Sequence, residues 1–178
     1  MPSRPMKRAF TIAELLLSLA LLAILLAAIG AAVHASIHSY QENDKIATAA
    51  QTARSILYRL TKEVRTADAV DTTTSSVSII PPDTTGVVIE YEFTGGTLYY
   101  RRIVNGSPSE HVLLGPSDAA VPTGFVVSRV DGTVTRDVGG VPTVLVCTKQ
   151  VTVTLSVDAG GEAYTVTASA CPRRNQDL

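Results

Sequence analysis

The stretch KRAFTIAELLLSLALLAILLAAIG, Lys7 to Gly30, decides how the rest of the chain is read. Two cations lead an almost purely apolar run, broken only by Thr11, Ser18 and one carboxylate, Glu14. No residue from Leu15 to Val33 carries a charge. About 19 residues at helical rise span roughly 30 Å, one hydrocarbon thickness. Leu, Ala and Ile dominate and proline is absent, so the predicted element is a helix. The cations precede it, which orients the N-terminus to the cytoplasm and sends residue 35 onward across the membrane.

The acid needs a reason. A carboxylate just inside the bilayer edge costs about 2–3 kcal/mol unless it reaches the headgroups or finds a partner. A plain anchor gains nothing from Glu14. A secretory signal peptide would offer small residues after a shorter apolar stretch. Val33-His34-Ala35 supplies such a site. The run is long for that purpose, and an acid at its cytoplasmic end is out of place.

The totals set bounds. The 178 residues suit one domain plus an appendage. The chain is 46% hydrophobic with mean hydropathy +0.23, and the surplus lies between Leu15 and Val33. Net charge is -1, but Arg4, Lys7 and Arg8 load the first nine residues with three cations. The remainder holds 12 cations against 16 acids, a balance that argues against nucleic acid as a partner. Two isolated cysteines, Cys147 and Cys171, exclude a CxxC site and a Cys-rich zinc module.

Beyond the membrane segment, Ile46, Ala49, Ala50, Ala53, Ile56, Leu57, Leu60, Val64 and Ala67 recur at steps of three and four. That is an amphipathic stripe, and it predicts one helix of roughly 55–60 residues ending at the Thr72–Ser76 hydroxyl run. After residue 70 the period changes to two. Strands are predicted at 77–80, 87–93, 98–104, 111–114, 125–130, 144–157 and 163–170. Gly95-Gly96, Asn105-Gly106, Pro116, Gly139-Gly140 and Gly160-Gly161 mark the turns and breaks. The fold class is α+β: a long N-terminal helix packed on an antiparallel β-sheet.

In the last hairpin, pairing the inward faces sets Val153 against Val166 and puts Cys147 near position 172. Cys171 is one step away on the other face, and a bulge beside Pro172 brings the two together. The alternatives are a Cys147–Cys171 disulfide or two separate buried thiols.

The segment Lys7-Arg8-Ala9-Phe10-Thr11-Ile12-Ala13-Glu14-Leu15-Leu16 resembles the prepilin signal of type IV pilins and type II secretion pseudopilins. In that family a basic leader ends in a small residue, usually Gly, and a prepilin peptidase cuts after it. The new first residue, commonly Phe, is N-methylated, and the fifth mature residue is Glu. The resemblance implies cleavage between Ala9 and Phe10, methylation of Phe10, and Glu14 as that fifth residue. The sequence departs from the pattern at Ala9, where Gly is usual, and at Ala13, where a larger aliphatic is common. After cleavage, the α-amino group of Phe10 lies in the same low-dielectric layer as Glu14. Pairing the two charges, within one chain or between neighbours, offsets the desolvation of both. Glu14 then becomes an assembly and register device.

Later segments extend the resemblance. Ser55–Ala67 looks like the helix end of minor pilins of the W type and minor pseudopilins of the J type. Leu98-Tyr99-Tyr100-Arg101-Arg102 resembles their second-strand motif, and Arg173-Arg174-Asn175 resembles the close of their last strand. The implied organisation is a leader at 1–9, a transmembrane helix at 10–34, an amphipathic helix at 35–69 and an extracytoplasmic β domain at 70–178. The implied localisation is the inner membrane, single-pass, with the N-terminus cytoplasmic. The implied role is a minor structural subunit of a type II pseudopilus or type IV pilus, in the tip or initiation complex. Its partners would be other pilin or pseudopilin subunits, the prepilin peptidase and an inner-membrane assembly platform. The competing expectation is a membrane-tethered β-domain acting as a ligand-binding or adhesion module.

No catalytic machinery is expected. His34 and His38 share a helix face, yet no HExxH pattern or third ligand accompanies them. His111 lies near Ser107 and Ser109 without a nucleophile elbow. The glycine pairs have no following helix to cradle a phosphate, and the acids around Asp131 and Asp158 are too sparse for a calcium loop. Neither a cofactor nor a metal is expected.

Overall fold

The computed structural model describes residues 11–82 and 84–172. They form two compact units, Met1–Asn43 and Asp44–Leu178. Helix α1 runs Ile12–Thr66, 55 residues. Its part in the first unit is exposed throughout, with Leu15, Leu22, Ile24 and Ile29 open to the surroundings. By length and composition, α1 is able to cross a membrane.

In the second unit, α1 buries Ala49, Ala50, Ala53, Ile56, Leu57, Leu60, Thr61 and Val64. These are the positions of the apolar stripe, and they pack against β-sheet. The stripe opens with the small Ala49, Ala50 and Ala53 and continues with the bulkier Ile56, Leu57, Leu60 and Val64.

The helix stops earlier than its composition suggested. The Thr66 hydroxyl bonds back to the Lys62 and Glu63 carbonyls at 3.2 Å each. The Asp68 amide already donates to the Ile80 carbonyl at 2.9 Å. Strand β1, Ala69–Thr72, follows at once and pairs with β2, Ser76–Ile80. β1 was not anticipated, because four residues with one apolar inward position give no readable period.

The remaining strands are β3 (Val87–Thr94), β4 (Thr97–Val104), β5 (Ser107–Leu114), β6 (Val121–Val138), β7 (Val141–Ala159) and β8 (Glu162–Ala170). They do not make the single sheet expected. β1 to β5 form one antiparallel sheet in chain order, and β6 to β8 form a second. The break falls in the β5–β6 connection. There the Asp118 carboxylate accepts the Gly115 amide at 2.6 Å and the Asp118 amide returns to the Gly115 carbonyl at 3.2 Å. That closed turn redirects the chain away from the β5 edge.

One core unites the helix and both sheets: Leu57, Leu60 and Val64 meet Val77, Ile79, Tyr91 and Leu98 from the first sheet, and Phe125, Val153, Leu155 and Val157 from the second. The outer face of the second sheet is a hydroxyl ladder. Thr152 pairs with Ser169, Thr154 with Thr167 and Ser156 with Thr165, at 2.8 to 3.1 Å.

Four hairpins turn on two residues with positive φ at both positions: Gly95-Gly96, Asn105-Gly106, Gly139-Gly140 and Gly160-Gly161. These are type I′ turns, whose twist matches that of the flanking strands. The last one corrects the expected register. Ala159 pairs with Glu162, so Val153 faces Ala168 and Leu155 faces Val166. The expected pairing of 153 with 166 would have centred the turn on Ala159-Gly160 and forced a positive φ on an alanine. Gly160 and Gly161 accept φ of 71° and 92° without a Cβ penalty. The shift is two residues, so the buried face is unchanged. The last described pair of this ladder is Val151 with Ala170, short of Cys147. Cys147 is half-buried, Cys171 is exposed, and both are free thiols in the structure.

Candidate assembly site

Glu14 sits in the first turn of α1. Its Oε2 accepts the Thr11 backbone amide at 3.0 Å and the Thr11 hydroxyl at 3.1 Å. The Thr11 Oγ1 in turn accepts the Glu14 amide at 3.3 Å. This is a capping box, Thr-x-x-Glu, which satisfies two orphan donors of the helix start reciprocally. The carboxylate also stands at the positive end of the helix dipole. Sequence reasoning treated Glu14 only as a charge. The Thr11–Glu14 spacing was legible and carries a second, local duty: the acid starts the helix.

Among the described residues, Oε1 takes no hydrogen bond, so the carboxylate keeps acceptor capacity for another donor. Ala9 and Phe10, the expected cleavage and methylation positions, lie outside the described residues, as does Arg173-Arg174-Asn175. One turn on, the Ser18 hydroxyl donates to the Leu15 carbonyl at 2.9 Å and hides its polarity within the apolar helix.

Thr11→Val should remove the cap and keep the charge. The expected cost is about 1 kcal/mol of local helix stability. Amide exchange at residues 12–14 in detergent should speed up in this variant and stay unchanged in Thr11→Ser.

In the second unit, a polar knot fastens α1 to the first sheet. The Tyr91 hydroxyl donates to Glu63 Oε2 at 2.7 Å, and Arg59 Nε donates to Glu63 Oε1 at 3.1 Å. The Arg59 guanidinium lies 4.1 Å over the Tyr100 ring, and Tyr100 meets Tyr91 edge-on at 5.3 Å. Burial, and then the hydrogen bond to Glu63, push the Tyr91 phenol far above its usual range. Burial, the largest single influence, would lower the Arg59 guanidinium, but the Glu63 bond together with the nearby Tyr91, Glu63 and Tyr100 side chains raises it above its ordinary value. His111 stacks on Tyr100 at 6.4 Å and thereby joins this cluster.

On the other face of the same strands, Arg101 is gripped by three carboxylates. Glu110 lies 2.5 Å from its Nε, Glu90 3.5 Å from its Nη1, and Glu92 is bonded to the same Nη1. The bond to Glu110 is the main cause that raises the Arg101 guanidinium above its ordinary value. Arg101→Met leaves three acids facing one another. The expected result is a destabilisation of about 1 kcal/mol that shrinks with added NaCl or with protonation of the acids at low pH. Denaturant midpoints across salt and pH check it.

His38 Nδ1 faces Glu42 Oε1 at 3.4 Å, one turn along α1. Among the described residues, no group of three or more His, Cys, Asp or Glu is arranged to hold a metal.

Residues 4–30 match the family model of the prokaryotic N-terminal methylation motif. No curated protein matches the chain, and no solved structure does. The matched span holds the basic leader, the Thr11–Glu14 cap and the start of the apolar helix, and antiparallel sheets pack on the later part of the same helix. The chain is type IV pilin-like.

Proposed function

We propose that the chain is a minor structural subunit of a type II pseudopilus or type IV pilus. The methylation motif points to a structural subunit that assembles with other pilin subunits and is anchored in a membrane. The observation that carries the reading is Glu14 at the head of an exposed apolar helix, capped by Thr11 and retaining an acceptor oxygen. Prepilin peptidase removes residues 1–9 on the cytoplasmic side, and Phe10 becomes a methylated α-amine. That cation reaches Glu14 of its own chain or of a neighbour, and the apolar helices bundle in register while the 70–178 region packs outside the membrane. The subunit does no chemistry of its own; an inner-membrane assembly platform supplies the work.

The test is the N-terminal mass of the membrane-bound protein, with and without the peptidase. A chain starting at Phe10 with one added methyl group, only when the peptidase is present, is the expected result. An intact Met1, or a start near Ser36, overturns it.

A further inference from the structure

Where α1 packs on the sheets, its opposite side carries a stripe of its own. Arg54, Tyr58, Lys62 and Arg65 fall within about 80° of arc at 3.6 residues per turn, and all four are exposed. Tyr58 is 73% exposed, with a cation one turn before it and another one turn after. Among the described residues, no carboxylate pairs with Lys62 or Arg65, and Arg54 meets the neutral Tyr164 hydroxyl at 2.9 Å. Tyrosine and arginine are the residues enriched at protein contacts. The far side of the first sheet has the opposite charge. Glu90, Arg101 and Glu110 stand in register across β3, β4 and β5, and Glu92, Tyr99 and Val112 form the next row on that face. Three carboxylates against one guanidinium leave a surplus of two negative charges. Val112 is exposed and offers an apolar spot beside them. α1 packs on the inner face of this sheet, so the cationic stripe and the anionic face point away from each other.

We propose that the stripe docks on the outer sheet face of a second copy of this chain, Tyr58 toward Val112 and the cations toward the glutamates. The proposal rests on the filament reading above. The two surfaces cannot meet within one chain, and neither can pair with its own likeness without like-charge repulsion. The contact is therefore head-to-tail, and a head-to-tail contact that does not close extends into a filament. From Arg54 to Arg65 the stripe is about 17 Å long, too short to bury the roughly 1,200 Å² of a stable complex. Copies pair through it only where bundled membrane helices hold them at high local concentration. Stacking of the β domains is thereby tied to assembly at the membrane.

The test uses the full chain, reconstituted at high density in lipid vesicles and treated with a carbodiimide. That reagent joins an amine to a carboxylate in direct contact. Dimers linked from Lys62 to Glu90, Glu92 or Glu110 are expected, and NaCl should reduce them. Two variants reverse the charges and keep Lys62 and Glu92 as reporters: Arg54→Glu with Arg65→Glu, and Glu90→Lys with Glu110→Lys. Each alone should lose the Lys62-linked dimer roughly tenfold, and the two mixed should regain it. An unchanged yield in either variant with an intact thermal transition overturns the proposal. So do parent dimers that ignore NaCl, or a mixture that recovers nothing. A membrane-bound chain that keeps Met1 would remove the filament reading instead, and the vesicle cross-link would still decide the contact.

Discussion

Tyr91→Ala should destabilise the 44–178 unit by about 3–5 kcal/mol. Tyr91 is fully buried and is the largest of the fully buried side chains. Truncation empties its place in the core, removes the edge-on contact with Tyr100 and strips Glu63 of a donor. The thermal midpoint should fall by roughly 10–20 °C. Tyr91→Phe separates the two contributions. It keeps the ring and removes the hydroxyl, while Arg59 still holds the other oxygen of Glu63. The expected cost is then about 1–2 kcal/mol. Calorimetry of the full chain in detergent gives both numbers. Equal losses for Ala and Phe would mean that the hydroxyl, not the packing, fastens helix to sheet.

Glu14→Ala should abolish assembly and leave membrane insertion intact. On the proposed reading, assembly needs a negative charge at this position, and insertion needs only the apolar run that follows. Glu14→Gln sharpens the test. Glutamine can complete a capping box but carries no charge. It should preserve the helix start and still fail to assemble. The measurement is the fraction of membrane-bound subunit that cross-links to other pilin subunits. Normal assembly of the Gln variant would reduce Glu14 to a capping residue and remove the charge-pair mechanism.

The helix was legible in the sequence because its period runs long: the stripe from Ile46 to Ala67 has no competing pattern, and Ala49 to Val64 are buried as read. Strand identity was legible where β-branched residues alternate. Strand length was not. β6 and β7 run 18 and 19 residues because the Gly139-Gly140 turn zips Thr135, Arg136, Pro142 and Thr143 into a ladder that their side chains do not announce. β5 likewise gains Ser107 to Glu110 from the Asn105-Gly106 turn. Backbone pairing, not side-chain pattern, extends these strands. Of the candidate site, the Thr11–Glu14 cap was local and readable. The Glu63–Tyr91 bond joins residues 28 positions apart on different elements, and no short-range signal foretells it. The division into two sheets falls in the β5–β6 connection, where the Gly115–Asp118 turn lies.

In both sheets, each strand lies beside its neighbour in sequence. The ladders therefore close short loops, and short loops cost little entropy and form early. A chain that emerges from a membrane N-terminal part first can pair β1 with β2, then β3, then β4, without waiting for a distant partner. Each newly exposed edge is covered by the next strand to arrive, so little unpaired backbone is offered to other chains at any moment. On the proposed reading, in which the 70–178 region is carried across the membrane, the meander is suited to maturation in transit: the domain is able to complete itself vectorially, before it meets its neighbours.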